Sequence, residues 1–294
     1  MRHSLNLIRK IKQMRKDGLT LTEIKNKTGL SKTTIFHHIK SISKSGTLKR
    51  KLKVISQTTQ KRVAESRRGK SVKKYKFIKP EKWNSDFVNL ASHFLFDGAI
   101  TMSSCLYYNR NNVLIDNMII KIKKILGVDD YKIYRDRNNV TRLAYHNVEL
   151  VVFMRNKTTE LLNYIYSAPK IEKITFLRSF FDDEGSVDLR GAVRRVRGYQ
   201  HNNKILFLVQ KLLKDFQIAS KVDTRFHEII IGRRDNIKRF AKEINFTKGV
   251  RVNGKRSNSV WKKSLEKKTI LTNLLSSYMQ CVMLTFVIFY STIS

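Results

Sequence analysis

The chain has 294 residues, with 60 Lys or Arg against 23 Asp or Glu, a formal net charge of +37. So large a basic excess makes a polyanion the expected partner, nucleic acid first, and predicts salt-dependent binding through counterion release. Cys105 and Cys281 stand far apart, which excludes a disulfide framework or a zinc cluster and points to a reducing compartment, the cytoplasm or nucleoid or an organelle matrix. The basic N-terminus lacks the apolar run of a secretory leader. A hydrophobic content of 41% over this length predicts a sizeable core and about two domains.

Residues 1–42 predict a small all-α domain of three short helices. Leu5, Ile8 and Ile11 start a helical period that stops at Asp17-Gly18. Thr20 or Thr22 caps a second helix that carries Leu21 and Ile24 and ends at Gly29, and Ser31 caps a third with Ile35 and Ile39 inside. The run Glu23, Ile24, Gly29, Leu30, Ser31, Thr34, Ile35 resembles the pattern of helix-turn-helix DNA-binding domains. That resemblance implies that Lys32, Thr33, Thr34, His37 and His38 face the major groove. Residues 43–80 break the apolar period and are crowded with Lys and Arg, so they read as a basic, poorly packed linker able to lie along phosphates.

From residue 81 to 268 the sequence repeats itself. The first unit, 84–166, predicts a helix over 86–97, strands within 99–109, a helix over 113–126, strands at 131–135 and 140–145, and a helix over 147–155. The second, 172–244, predicts the same order: 173–184, 186–199, 202–216, 220–226 and 228–232, then 235–244. Asp97-Gly98 and Glu184-Gly185 are separated by 87 residues, and Val128 and Ile218 by 90. Two matching landmarks in a repeat imply an α/β (α+β) domain with a pseudo-two-fold axis, αββαββα twice. The final stretch, 269–294, holds no charged residue. Its densest apolar part, Tyr278 to Tyr290, is shorter than the ~20 residues of a membrane span, so a packed helix or an extra tail is expected and a membrane partner is not.

Each unit opens with an apolar helix ending acid-glycine: Leu90-Ala91-Ser92-His93-Phe94-Leu95-Phe96-Asp97-Gly98 and Leu177-Arg178-Ser179-Phe180-Phe181-Asp182-Asp183-Glu184-Gly185. These nonapeptides resemble the LAGLIDADG motif of homing endonucleases, the second more closely. Small residues at Ala91, Ser92 and Ser179 would let the helices approach closely, although Phe96 and Asp183 stand where the family favours a small residue. The resemblance implies a monomer whose two helices bring Asp97 and Glu184 to one point. There the acids, with backbone oxygens of Gly98 and Gly185 and DNA phosphates, would hold Mg²⁺ for phosphodiester hydrolysis. Asp182 and Asp183, out of register with Asp97, are expected to be solvated or to stand behind the acids. Lys248 and Lys255, with Arg251 as a competitor, resemble the basic residues that sit beside scissile phosphates in this family.

The strands would line a long duplex site. Candidate contacts are Tyr107, Asn109, Arg110, Arg135, Arg137, Arg190, Arg194, Arg195, Arg197, Gln200, Arg225 and Arg233. The resemblance thus implies a site-specific double-strand DNA endonuclease of the intron-homing kind. The alternative is a non-cleaving DNA-binding regulator, or a maturase for intron RNA, on the same scaffold.

Overall fold

The structure, a computed structural model, describes residues 4–67, 77–254 and 261–278. Chain contacts divide it into two units, Met1–Lys74 and Tyr75–Ser294.

The first unit holds helices α1 (Leu5–Lys16), α2 (Leu21–Thr28), α3 (Lys32–Ile39) and α4 (Gly46–Arg67). Ser4, Thr20 and Ser31 cap the first three, each accepting a hydrogen bond from a backbone N–H three residues on. Between the two threonines considered for α2, Thr20 is the cap. It forms a capping box with Glu23, which satisfies two of the helix's orphan donors at once. Gly29 ends α2 at φ 71°, a left-handed conformation that a side chain would strain. Ile11, Ile24, Ile35 and Ile39 meet in one buried cluster, the contact expected of α2 and α3 crossing at a fixed angle.

The poorly packed linker expected over 43–80 is corrected over its first half, which is helical in α4. Leu48 is buried and Ser45 caps its backbone N–H, while Val54, Ile55 and Val63 are exposed. The missing apolar stripe, which argued against a helix, reflects a helix whose outer turns pack on little. The basic residues Arg68, Lys70, Lys73, Lys74 and Lys76 fall outside the described residues.

The second unit carries the repeat. Its first half runs α5 (Ser85–Phe96), β1 (Gly98–Ile100), β2 (Cys105–Asn109), α6 (Asn112–Leu126), β3 (Lys132–Arg135), β4 (Thr141–Tyr145) and α7 (Val148–Tyr164). The second half runs α8 (Lys170–Glu184), β5 (Gly185–Arg190), β6 (Val193–Tyr199), α9 (Asn203–Asp215), β7 (Lys221–Asp223), β8 (Glu228–Ile231) and α10 (Arg234–Glu243). The strand orders correspond, β1-β2-β4-β3 and β5-β6-β8-β7, with every pairing antiparallel. This is the predicted αββαββα repeat. A further helix, α11, covers 267–278; its Ile270, Leu271 and Leu274 enter the common core. The start of the apolar tail is therefore core, and 279–294 lie outside the described residues. Among the described residues no helix is long and apolar enough to cross a membrane.

Helices α5 and α8 pack against each other at the centre. Phe96 meets the rings of Phe176 and Phe180 edge-on at 5.3 and 5.2 Å, and Asn89 donates to Ser179 Oγ at 2.8 Å. Ala91, Ser92 and Ser179 are fully enclosed, as the motif requires. Phe96, which the motif would replace by a small residue, is accommodated by edge-to-face ring packing.

Candidate active site

Both helices end on their acid and change to strand at the glycine. Asp97 caps α5 and Glu184 closes α8. A Cβ on Gly98 would stand 2.3 Å from the Phe94 carbonyl oxygen, and one on Gly185 2.3 Å from that of Phe181. The glycines are needed for space more than for freedom: Gly185, at φ −88° and ψ 153°, is in a conformation open to any residue. The chain leaves each helix so abruptly that the carbonyl one turn back occupies the position of a side chain.

Asp97 and Glu184 border one cleft of roughly 580 Å³, together with Asp182, Asp183 and Lys267. Burial, reinforced by the charge of Asp183, pushes the Asp97 carboxyl up to about 7. Burial, then the charges of Asp97 and Asp183, pushes Glu184 up to about 8. Carboxyls raised mainly by burial and then by neighbouring acids are a hard-oxygen site whose negative charge is only partly compensated. Among the described residues no group of three or more His, Cys, Asp or Glu stands ready to hold a metal unaided. The acid pair fits a hard divalent cation whose shell is completed by backbone and phosphate oxygens. Gly98 and Gly185, each one residue beyond its acid, stand beside that position.

Of the two positions expected for Asp182 and Asp183, solvated or behind the acids, both residues are enclosed and neither is solvated. The Asp183 side chain is wholly enclosed. It accepts from His93 Nδ1 at 2.7 Å, Tyr107 Oη at 2.8 Å and Asn109 Nδ2 at 3.2 Å. The Asn109 amide also donates to Asp97 Oδ2 at 3.1 Å, so it bridges the carboxylate behind the site to the one within it. Burial pushes His93 down, but the charge and hydrogen bond of Asp183 outweigh it and hold the imidazole above its ordinary range. Asp182 is enclosed on the other side: one oxygen accepts from the Thr247 N–H at 2.9 Å and the other has no hydrogen-bond partner. The residue that departs from the motif, Asp183, is thus a buried interhelical contact.

The basic residue found here is one that sequence reasoning missed. Lys267, at the start of α11, is buried, and its Nζ donates to the carbonyls of Phe181 at 3.0 Å and Asp182 at 2.6 Å. Burial lowers its pKa, against the pull of Asp182, Asp183, Asp97 and Glu184. A lysine just before an uncharged apolar stretch gave no signal, because only the pairing of 249–252 with 264–267 carries it to the end of α8. Lys248 is exposed, outside the residues that line the cleft. Arg251 does line it, held by Ser264, and Lys255 lies outside the described residues.

The strand candidates separate by the alternation of β-structure. Tyr107 is buried against the acids and is not a duplex contact; Asn109, bonded to Asp97 and Asp183, lines the cleft together with Tyr108 and Arg110. Gln200 Nε2 donates to Glu184 Oε1 at 3.4 Å. Arg190, Arg195 and Arg197 share a face around Asp188. Arg194 is one position out of phase. It donates to Ser277 Oγ at 2.8 Å and lies over the Tyr278 ring at 5.3 Å, against α11, so the grouping with the other arginines is corrected. Arg135, at the end of the outer strand β3, donates to Asn112 at the start of α6, Arg225 lies over Phe226 in the β7–β8 turn, and Arg233, at φ 63°, precedes α10. Arg137 stands exposed in the β3–β4 turn. In the N-terminal unit, Lys32, Thr33 and His37 are exposed on α3. Thr34 is drawn into the cap by Ser31, and His38 is half-buried. Phe36, which sequence reading passed over, is 54% exposed one turn from Thr33.

The family model described as a LAGLIDADG-like domain matches residues 172–245, the second half of the repeat. Among solved structures, the chain is similar to the homing endonuclease I-DmoI in complex with DNA and Mn. Identity there is 17%, over 55% of this chain and 98% of that one, with a TM-score of 0.43. It is also similar to the N-terminal LAGLIDADG domain of DUF199/WhiA, at 14% identity over 57% and 87% with a TM-score of 0.41. Full-length DUF199/WhiA from Thermatoga maritima matches at 13% over 58% and 59%, with a TM-score of 0.44. No curated protein sequence matches. The fold is a mixed α/β LAGLIDADG fold, with one four-stranded antiparallel sheet in each half.

Proposed function

We propose that the protein is a site-specific DNA endonuclease that hydrolyses phosphodiester bonds in both strands with a divalent cation such as Mg²⁺, acting as a monomer. The observation that carries this reading is the delivery of Asp97 and Glu184, by two repeat-related helix ends, to one cleft. There burial, and then the charge of Asp183 on Asp97 and of Asp97 and Asp183 on Glu184, hold both carboxyls far above their ordinary range. When bound, the cation would supply Lewis-acid charge to the attacking water and the leaving oxygen. Asp97 and Glu184 hold it. Asn109, anchored on Asp183, fixes the Asp97 carboxylate, and Gln200 fixes Glu184. Arg251 and Arg110 at the cleft border attract phosphate. The exposed face of α3, Thr33, Phe36 and His37 with Lys32 beside them, supports flanking contacts in a major groove.

One observation favours the alternative of a non-cleaving DNA- or intron-RNA-binding protein. Lys267 already places a cation among these acids, and a fixed ammonium there removes part of the need for metal. Purified protein incubated with Mg²⁺ and the uninterrupted allele of its host locus separates the two. The nuclease reading expects double-strand cleavage that Asp97→Asn and Glu184→Gln each abolish, with gel-shift affinity in Ca²⁺ retained. Affinity comes from many phosphate and base contacts to which the acids add nothing attractive. Salt-dependent binding without cleavage by the unaltered protein would establish the alternative.

A further inference from the structure

The outer face of the second sheet carries an arrangement that hydrolysis does not use. Asp188 on β5 is paired with Arg195 on β6, and Ser186 with Arg197, so Asp188, Arg190, Arg195 and Arg197 project from one face. The Asp188 side chain is 1% exposed. Arg190 donates to it from Nε at 2.7 Å and from Nη2 at 2.9 Å. Arg195 donates from Nε at 3.2 Å, with its Nη2 3.1 Å from the same oxygen. Arg197 Nε stands 3.8 Å from Asp188, buried and without a hydrogen-bond partner, while its Nη1 donates to Glu228 at 2.8 Å. Burial opposes ionisation of Asp188, but the bonds from Arg190 and Arg195 prevail and hold its carboxyl below the ordinary range.

This grip has a consequence for recognition. A guanidinium has five N–H donors in a planar fork. A carboxylate on the Nε–Nη2 edge leaves the Nη1–Nη2 end, the pair that matches O6 and N7 of guanine in the major groove. Arg190 and Arg195 are both held by the Nε–Nη2 edge, so both present that end with their rotamers already fixed, and binding costs less ordering entropy. Strands β1–β4 contain no Asp or Glu. The outer face of their sheet offers Tyr108, Arg142 and Tyr134 in register, with Arg142 over the Tyr134 ring at 4.2 Å. The two halves of the fold therefore present chemically different surfaces to a duplex.

We propose that Asp188 is a positioning residue that holds Arg190 and Arg195 as guanine readers, so that the target is asymmetric, with guanines concentrated under the second sheet. The inference rests on the duplex-DNA reading above and deepens it. Asp188 lies four residues beyond Glu184. At ~3.4 Å per extended residue and ~3.4 Å per base pair, the guanines fall about four base pairs from the acid pair, on one side only.

The test is selection of a randomised duplex pool by the full protein in Ca²⁺, followed by affinity measurements on the selected sites. Guanines are expected in one half-site, about three to six base pairs from the centre. Asp188→Asn should lose roughly tenfold of the preference for each such guanine over adenine, with affinity for unrelated duplex and its salt slope little changed. Glu228→Gln, which releases only Arg197, should leave that preference unchanged. Arg190→Lys and Arg195→Lys keep the charge and lose the fork. They should show the same loss of preference, and they carry the test should Asp188→Asn fail to fold. A merely structural Asp188 would weaken all sequences alike, and that result overturns the proposal. Equal guanine content in the two halves, or none, overturns it while leaving the nuclease reading standing. Failure to bind any duplex overturns both.

Discussion

At the scale of single residues, the site is a balance between four enclosed acids and one enclosed lysine. Asp97 and Glu184 titrate near 7 and 8, far above an unfolded carboxyl at ~4. An acid raised on folding binds its proton more tightly in the native state. Stability is therefore greatest below the unfolded value and falls as pH rises toward 7 and then 8. Metal-free protein should accordingly lose denaturant resistance between about pH 4 and pH 8, and Mg²⁺ binding should release protons and strengthen over the neutral range. Calorimetric titration at a series of pH values checks both. Asp183→Asn and Lys267→Met should move that pH dependence in opposite directions. Removing the charge of Asp183, which raises both acids, shifts metal binding to lower pH; removing Lys267, which lowers them, shifts it to higher pH. Both variants should also lose stability, by ~1–3 kcal/mol, since each leaves buried partners unsatisfied: His93 and Tyr107 in one case, the Phe181 and Asp182 carbonyls in the other. A coincident shift in the two variants would refute this electrostatic account.

At the scale of elements, the decisive feature is the helix-to-strand change at the two motif ends. Gly98→Ala and Gly185→Ala each force a methyl onto a backbone carbonyl that cannot rotate away. Each should cost at least the ~1–3 kcal/mol of an overpacked core and displace its acid, so activity should fall further than stability explains. Urea unfolding with cleavage measured on the folded fraction distinguishes this from simple unfolding. Helix α11 is the other element on which the site depends. It supplies Lys267 and three core side chains, so a chain ended before residue 267 should lose both stability and the lowering that the lysine exerts on Asp97 and Glu184.

At the scale of the whole molecule, two motif helices in one chain already provide both halves of the pseudo-dyad. Sedimentation should therefore show a monomer, and an obligate dimer would contradict the proposed architecture. The N-terminal unit, Met1–Lys74, builds its own small core of four isoleucines, separate from the repeat. A chain starting at Tyr75 should still cut, with weaker binding and a shallower salt dependence, because the removed unit adds affinity through effective concentration. Loss of cutting by such a chain, folded and bound to its target, would show that the unit contributes to chemistry.

The repeat, its order of elements and the helix-end positions of Asp97 and Glu184 were legible in the sequence because each rests on local rules. Apolar periods mark helices and strands, glycine marks the helix ends, and register alone separates Glu184 from Asp182 and Asp183. Helix α4 was not legible, because its exposed turns carry no apolar stripe to mark a period. Which side chains enter the site was decided only by tertiary structure. Lys267 reaches α8 through a pairing of distant segments, and Asp183 becomes an interhelical contact because His93 and Tyr107 converge on it from separate elements. The same holds for the arginines of β6. Alternation along a strand assigns Arg194 and Arg195 to opposite faces, but only the packing of α11 on one face and the position of Asp188 on the other decide which is covered by a helix and which is held by a carboxylate. Burial and long-range pairing are properties of the assembled chain, and no local pattern encodes them.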